Sequence, residues 1–336
     1  MLFLPTLSAC RLVVVMVGFT GALMTLAACS GRPVVVGRAT SADPPPQSAD
    51  VVARNVACEG CHLEIAEEWR ASLHHQAHAD PVYQRAFALE PMAFCTACHA
   101  PEANAEDPGP SPRHALGVAC VTCHTMASSH GAVGDAHAGK AAETTRTAEC
   151  ASCHEFTFPQ SSEKLQLTAT EHRASRAADV TCSACHMPRV SKSGRAHASH
   201  RFDASRDATF VRSAARVTAT HIERRVTFTF TPERVGHAFP TGDLFRRLRL
   251  VVELEGRTVE AFLGRKTKRA ESPASVNASD DRPFARGEPA IVDVDIGEDS
   301  RPRAWRVLYE RVEHPTTLDE REAQIEGVIE VASGHF

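Results

Sequence analysis

The stretch CEGCHLEIAEEWRASLHHQAH, residues 58–78, opens with Cys-x-x-Cys-His and closes with a group of histidines. The opening pattern returns four more times along the chain, so ten of the twelve cysteines share one spacing. These ten are Cys58, Cys61, Cys95, Cys98, Cys120, Cys123, Cys150, Cys153, Cys182 and Cys185. The histidines that follow the five pairs are His62, His99, His124, His154 and His186. A spacing repeated five times indicates five copies of one binding unit.

Cys-x-x-Cys-His is the attachment sequence of a c-type haem. Its two thiols add across the two vinyl groups of one porphyrin, and the next histidine binds the iron as the proximal ligand. A thioredoxin-type redox pair needs only one Cys-x-x-Cys near a βαβ pattern. Structural zinc does not require histidine after the second cysteine, and a disulfide would leave the histidine without a role. The sequence therefore predicts five covalently attached haem c groups.

The N-terminal segment has the character of an export signal. Arg11 precedes a long apolar run that ends in Leu-Ala-Ala-Cys29, and this order of basic, apolar and small residues is typical of secretory signals. The ending resembles a bacterial lipobox, in which Cys29 receives a diacylglyceryl group and Ser30 favours release to the outer membrane. We expect a lipoprotein signal peptide at 1–28, lipidation of Cys29 and a position on the periplasmic side of a bacterial membrane. An uncleaved anchor is the alternative, although the run is barely long enough to span a bilayer.

The mature chain divides by composition into three parts. Residues 29–53 are rich in Pro, Ser and Ala and predict a tether. Residues 54–205 contain all five motifs and few large aliphatic side chains, so without haem they should stay unfolded. We expect short helices and loops wrapped around the porphyrins. Within this block, residues 63–89 are predicted to be helical from the spacing of Ile65, Trp69 and Leu73.

From about residue 206 onward, cysteine is absent and apolar residues alternate with polar ones. The alternating stretches are 216–233, 244–266, 289–298, 304–312 and 323–333. Alternation of this kind predicts about six or seven short antiparallel strands with turns between them. The expected fold class is α+β, with an N-terminal multihaem block and an antiparallel β-sandwich at 206–336.

Histidines are in excess over the five proximal ligands, since the chain has 18. The iron of a c-type haem usually takes His or Met as its sixth ligand. After the signal segment the only methionines are Met92, Met126 and Met187. Met187 directly follows His186 and is too near its own motif to reach the other face of that haem. The distal ligands should therefore be mostly histidine.

The stretches CEGCHLEIAEEWRASLHHQAHADPVY, CSACHMPR…HRF and VGHAFPTGDLFRRLRL resemble bacterial multihaem c-type cytochromes related to the cytochrome c-554 and hydroxylamine-oxidoreductase group. The resemblance extends from residue 54 to about residue 254. The distal iron ligands that it implies are His74, His137, His200 and His237. The fifth distal position stays open among His130, His114, His75 and an iron with no sixth ligand.

Two functions are compatible with these features. The first is electron transfer by a lipid-anchored pentahaem cytochrome, whose partners would be other cytochromes or quinol-linked donors. The second is a multihaem reductase or oxidase of a small nitrogen or sulfur compound, which needs one open haem and nearby acid–base groups. All five motifs keep His where ammonia-forming nitrite reductases carry one Lys. Neither Tyr83 nor Tyr309 matches the context of the haem-linked tyrosine of hydroxylamine oxidoreductases. An electron carrier is therefore favoured over an enzyme.

The charge pattern bears on the choice of partner. With 37 basic and 41 acidic residues the formal net charge is −4, and no basic stripe runs along the chain. Nucleic acid is therefore not an expected partner. A third class of function, docking of a partner through the β-domain, would need an exposed apolar or charged patch, which the sequence does not reveal.

Overall fold

The computed structural model describes the chain from residue 51 to its end, with gaps. The described ranges are 51–103, 110–124, 147–159, 164–192, 194–242, 244–267, 278–285, 289–298, 300–313 and 320–336. The predicted signal peptide and Cys29 lie outside these ranges, as do His130 and His137. All structural statements below concern the described residues.

The motif-bearing half is built from short helices. The helices are α1 Val51–Cys61, α2 Leu63–Ala71, α3 Pro81–Leu89, α4 Ala93–His99, α5 Cys120–His124, α6 Thr147–His154, α7 Thr168–Ala174 and α8 Cys182–His186. A 3₁₀ turn at His114–Leu116 precedes α5, and a ninth helix, α9 Ala208–Arg212, leads into the sheets. Among the described residues, no helix has both the length and the apolar character needed to cross a bilayer.

Each Cys-x-x-Cys pair lies on a helix. The proximal histidine is the last helical residue in α4, α5, α6 and α8, whereas His62 directly follows α1 and precedes α2. A helical turn brings both cysteines of a pair to neighbouring positions on one face, since residues three apart are adjacent there. The local fold therefore suits two covalent bonds to one porphyrin followed by a histidine.

The predicted continuous helix over 63–89 is wrong. α2 ends at Ala71, where the buried hydroxyl of Ser72 donates to the carbonyl of Trp69 at 2.7 Å. The next helix, α3, begins anew at Pro81, with the carboxylate of Asp80 accepting from the backbone N–H of Val82 at 3.0 Å. Proline at the first helical position and a capping aspartate are both helix-start features. The histidines at 74–78 consequently lie on turns between two helices.

The predicted boundary of the tether at residue 53 is also displaced, because α1 already begins at Val51. Val51 is buried in a small apolar cluster, and this packing accounts for helical structure where composition predicted a tether. Trp69 is the largest member of that cluster, and its indole N–H donates to the carbonyl of Val118 at 2.8 Å. The cluster consists of Val51, Trp69, Leu116, Ala119 and Val121.

Helices and loops were expected in the motif-bearing block, but it also contains two small antiparallel sheets. The strand β1 Glu155–Thr157 pairs with β2 Lys164–Leu167, and β3 Arg189–Lys192 pairs with β4 Arg195–Ala198. Both hairpins directly follow a motif helix, α6 or α8. Their strands have only three or four residues, too few for an alternating pattern to stand out in the sequence.

All five stretches with alternating apolar residues form strands. The strands are β5 Ala215–Ile222, β6 Arg225–Pro232, β7 Arg246–Leu254, β8 Thr258–Thr267, β9 Ala278–Asp280, β10 Ala290–Asp295, β11 Pro302–Val312 and β12 Ile325–His335. A three-stranded sheet has the order β10-β6-β5, and a five-stranded sheet has the order β12-β11-β7-β8-β9. All neighbouring strands are antiparallel. The turn between β7 and β8 contains Gly256 at a φ of +80°, which glycine adopts without strain.

The main apolar core lies in the second half of the chain and receives side chains from both sheets. Phe228 and Phe230 of β6 are fully buried together with Leu248 and Leu250 of β7. Strand β6 shows the expected alternation, with every second side chain buried. Mixed helices and antiparallel sheets are compatible with the predicted α+β class. The large core formed by the strands contrasts with the five-residue cluster of the helical block.

Candidate haem centres

Three histidine pairs share nearly the same ring separation. The ring centroids of His74 and His154 are 6.1 Å apart, those of His124 and His200 are 6.2 Å apart, and those of His186 and His237 are 6.3 Å apart. In each pair, one histidine belongs to a Cys-x-x-Cys-His motif and the other comes from a distant part of the sequence. The structure thus brings three of the four predicted distal histidines to three of the five predicted proximal ones.

The spacing of these pairs suits an iron between two imidazoles. A metal–nitrogen bond to imidazole is about 2.0 Å long, and the centre of the ring lies about 1.1 Å beyond the nitrogen. Two imidazoles on opposite sides of one iron would therefore have ring centres about 6.2 Å apart. The three observed separations agree with this value. The histidine pairs and the helical cysteine pairs beside them therefore fit haem c as the group to be bound.

Ring hydrogen bonds of the same histidines favour one tautomer. The Nδ1 atoms of His200 and His237 lie 2.8 Å from the carbonyl of Ala198 and 2.9 Å from that of Ala238. On the proximal side, Nδ1 of His186 lies 3.2 Å from the carbonyl of Asp203. Since a carbonyl can only accept, Nδ1 carries the proton and Nε2 presents its lone pair to a metal. His99 has the same arrangement, with Nδ1 2.7 Å from the carbonyl of Ala77.

Burial lowers the pKa of four of the candidate ligands. It lowers the pKa of His74 to about 3, with a further contribution from His154, and it lowers the pKa of His237 to about 4. The pKa values of His124 and His200 are also lowered, mainly by burial. Neutral imidazole is the form that binds metals, so these surroundings favour ligation at neutral pH.

The second motif has different neighbours. The ring of Tyr83 stacks on the ring of His99, with centroids 3.9 Å apart and an interplanar angle of 12°. Burial raises the pKa of the Tyr83 phenol to about 12, so the phenol remains protonated at neutral pH. The ring of His78 lies nearby, tilted by 52° against that of His114 with the centroids 4.6 Å apart, which is closer than two rings with an iron between them.

The histidines left open for the fifth distal position differ in their tautomers. Nδ1 of His114 accepts from the backbone N–H of Ser111 at 3.2 Å, so its proton belongs on Nε2 and that atom is unsuited to bind iron. Nδ1 of His75 lies 3.4 Å from the carbonyl of Leu116, which leaves Nε2 with its lone pair, and the ring packs 4.2 Å from Trp69. His75 is thus in the tautomer that can bind iron through Nε2. His130 lies outside the described residues, as does His137, the predicted distal ligand in the loop before α6.

Comparison with known proteins bears on the identity of the chain. Residues 57–125, which include the first three motifs, match the family model described as cytochrome c554 and c-prime. Together with the structural match described next, this family match supports a multihaem c-type cytochrome. A penta-haem cytochrome c552 from Thermochromatium tepidum shares the fold, with a TM-score of 0.60 at 19% identity. That likeness covers 83% of this chain and 97% of the other. A search of curated proteins finds no match.

Cysteines of three different motifs approach one another around the fourth motif. The thiol of Cys153 lies within hydrogen-bonding range of Cys98, and that of Cys150 lies within range of Cys182. The fourth motif is therefore adjacent to both the second and the fifth. Both contacts join different motifs. The second, fourth and fifth motifs are consequently neighbours in the structure.

Two glutamates at the haem sites were not predicted from the sequence. Glu68 of α2 accepts from the backbone N–H of His200 at 2.8 Å, and Glu171 of α7 accepts from that of Ala238, next to His237, at 3.3 Å. Both residues are ordinary members of short helices in the sequence. A single glutamate in a helix carries no signal that it will contact a loop far along the chain, so only the three-dimensional structure identifies them.

Proposed function

We propose that this multihaem cytochrome is an electron carrier with five covalently bound haem c groups, four or more of them with histidine on both axial sides. The observation that carries the proposal is the set of three histidine pairs with ring separations of 6.1, 6.2 and 6.3 Å. Bound haem c supplies a one-electron iron couple. Histidine on both sides fills the axial positions, which is the arrangement of a carrier and not of a centre that binds substrate.

The chain's own residues would perform three tasks in this function. The cysteines bind the porphyrins covalently, the carbonyls of Ala198 and Ala238 orient the distal imidazoles, and the short contacts between motif helices keep neighbouring sites adjacent. The β-domain contributes His237 to the site of the fifth motif. We further propose that the two sheets of this domain form the predicted sandwich, because both contribute to one buried cluster.

The location is part of the proposal. The apolar segment ending at Cys29 supports export and lipid attachment, which would place the carrier on the periplasmic side of a bacterial membrane, with the outer membrane favoured. Its redox partners would then be other exported cytochromes or quinol-linked donors. Mass spectrometry of protein made with a c-type maturation system should show five haems on a chain that starts at an acylated Cys29. Fewer haems would contradict the cofactor assignment, and an unmodified N-terminus would contradict the anchor.

Spectroscopy separates the carrier from the alternative enzyme. Electron paramagnetic resonance of the oxidised holoprotein should show low-spin iron of the bis-histidine type for at least four haems. A high-spin signal that changes on addition of nitrite or hydroxylamine would instead support a reductase or oxidase at one open haem. The variant His237→Ala tests a single assignment. It should convert one haem to a high-spin form that binds carbon monoxide after reduction, with the others unchanged.

A further inference from the structure

The loop that carries His237 is attached to the helical block by a buried carboxylate. Glu171 of α7 is 5% exposed, and one of its oxygens accepts from the hydroxyl of Thr241 at 2.6 Å and from the backbone N–H of Ala238 at 3.3 Å. Thr168, at the start of α7, adds a hydroxyl contact to Thr241 at 3.0 Å. Ala238, directly after His237, and Thr241, directly after Pro240, are thus both tied to one helix.

The same carboxylate forms a buried ion pair with the β-domain. Arg282 donates to the other oxygen of Glu171 at 2.6 Å, and its side chain is 2% exposed. It also donates to the carbonyl of Pro240 at 2.8 Å and to both carboxylate oxygens of Asp280, at 2.8 and 2.7 Å. The guanidinium therefore links a carbonyl of the loop to the carboxylates of Glu171 and Asp280, with every interaction charge-assisted.

The loop is consequently fixed from two directions at the place where His237 faces His186. The backbone N–H of Phe239 donates to the carbonyl of Pro283 at 2.9 Å, which adds a third attachment on the side of Arg282. Gly236, just before His237, lies so close to the segment after α7 that an added Cβ would come within 3.0 Å of the side chain of Ala177. A shift of the loop by one ångström would change the separation of the two imidazoles by a similar amount.

We propose that Glu171 and Arg282 are positioning residues for the fifth haem, which keep His237 at ligation distance from the iron bound by His186. The inference rests on the proposed function, since it presupposes that His237 is an iron ligand. The ion pair joins α7 of the haem block to the 280–284 segment of the β-domain. The contact between the two halves of the chain thereby determines the coordination of one haem.

The test uses the full-length, haem-loaded protein and carbon monoxide as the probe. Glu171→Gln keeps the volume of the side chain but removes its charge, and Thr241→Val removes one hydroxyl donor while the ion pair stays intact. In both variants we expect part of one haem per chain to become high-spin and to bind carbon monoxide after dithionite reduction. His237→Ala should bind one equivalent of carbon monoxide per chain, which is the largest gain expected in any of these variants. Thr241→Ser restores the hydroxyl and should behave as the wild type.

A buried arginine that loses one of its partners can destabilise the whole fold, so a second variant is needed. Glu171→Leu combined with Arg282→Met removes both charges together, a replacement that is often tolerated in buried ion pairs. Asp280 also loses its arginine in this variant, but its carboxylate is 30% exposed and can be solvated. The double variant should therefore fold, as judged by far-ultraviolet circular dichroism, and still show the gain in carbon monoxide binding. Glu155→Gln is the matched control, because Glu155 accepts from Thr170 of the same helix at 2.8 Å but does not contact the loop.

Two outcomes would overturn the inference and can be told apart. If His237→Ala binds one equivalent of carbon monoxide while the folded double variant binds no more than the wild type, the pair does not position His237. If His237→Ala itself leaves all spin states unchanged, the ligand role assigned to His237 fails, and the inference fails with it. A gain in the double variant but not in Glu155→Gln supports the positioning role.

Discussion

Glu68 contacts two histidines, His197 and His200, that lie three positions apart in the sequence. One of its oxygens accepts from the backbone N–H of His200 at 2.8 Å, and the other lies 3.1 Å from Nε2 of His197. His197 therefore uses the ring atom that a metal would need, whereas His200 engages Nδ1 with the carbonyl of Ala198 and directs its other side towards His124. The two histidines have the same chemistry but different roles.

The first prediction compares these two histidines. His200→Ala should convert one haem to a high-spin form that binds one equivalent of carbon monoxide after reduction, because the iron bound by His124 loses its distal ligand. His197→Ala should leave all spin states unchanged and lower the melting temperature slightly, since only a hydrogen bond to Glu68 is lost. Electron paramagnetic resonance and carbon monoxide titration measure both effects. Equal behaviour of the two variants would refute the assignment.

The second prediction concerns the small cluster of the helical block. Trp69 is 4% exposed and donates its indole N–H to the carbonyl of Val118. Trp69→Ala should lower the free energy of unfolding of this block by about 3–5 kcal/mol, the usual cost of removing a buried tryptophan. Trp69→Phe keeps the ring packing, so it should cost less. Denaturant unfolding followed at the haem absorption band distinguishes the two, and equal stability of both variants would argue against a packing role.

The third prediction concerns the buried ion pair on the five-stranded sheet. Glu310 of β11 is fully buried and accepts from Nε of Arg247, directly opposite on β7, at 2.8 Å. Glu310→Leu should cost about 3–5 kcal/mol, because it leaves the arginine without its partner in a mostly buried position. Asp293→Asn breaks an exposed pair with Arg225 and should cost about 0–1 kcal/mol. Chemical denaturation monitored by circular dichroism gives both values, and a cost for Glu310→Leu no larger than that for Asp293→Asn would count against this account.

The fourth prediction concerns removal of the haem. Among the described residues, the buried apolar cluster of the helical block has five members, while that of the β-domain has twenty-one. A full-length chain made without haem attachment should therefore keep its β-type circular dichroism and lose its helical signal. Limited proteolysis should cut within residues 54–205 and leave a fragment that contains 206–336. A cooperative helical melting transition in the haem-free chain would show that side chains alone form a core in the first half.

Much of the fold could be predicted because the deciding residues are close together in the sequence. A Cys-x-x-Cys-His motif contains both attachment cysteines and the proximal histidine within five residues, so the haem sites can be predicted without a structure. The strands of the β-domain are long enough for alternation to appear, and all five alternating stretches form strands. The helix over 63–89 was predicted wrongly because a local cap at Asp80 and Pro81 outweighs an apolar spacing that continues across it.

The partners of the proximal histidines were decided by the tertiary structure. His74 and His200 stand close to other histidines in the sequence, and residue type alone cannot separate His200 from His197 or His74 from His75. Which ring faces a proximal histidine depends on how distant segments pack, and on which ring nitrogen a neighbouring carbonyl engages. The contacts of Glu171 and Arg282 have the same origin, since their partners lie far away along the chain. Local chemistry therefore specified what is bound, and long-range packing specified how each site is completed.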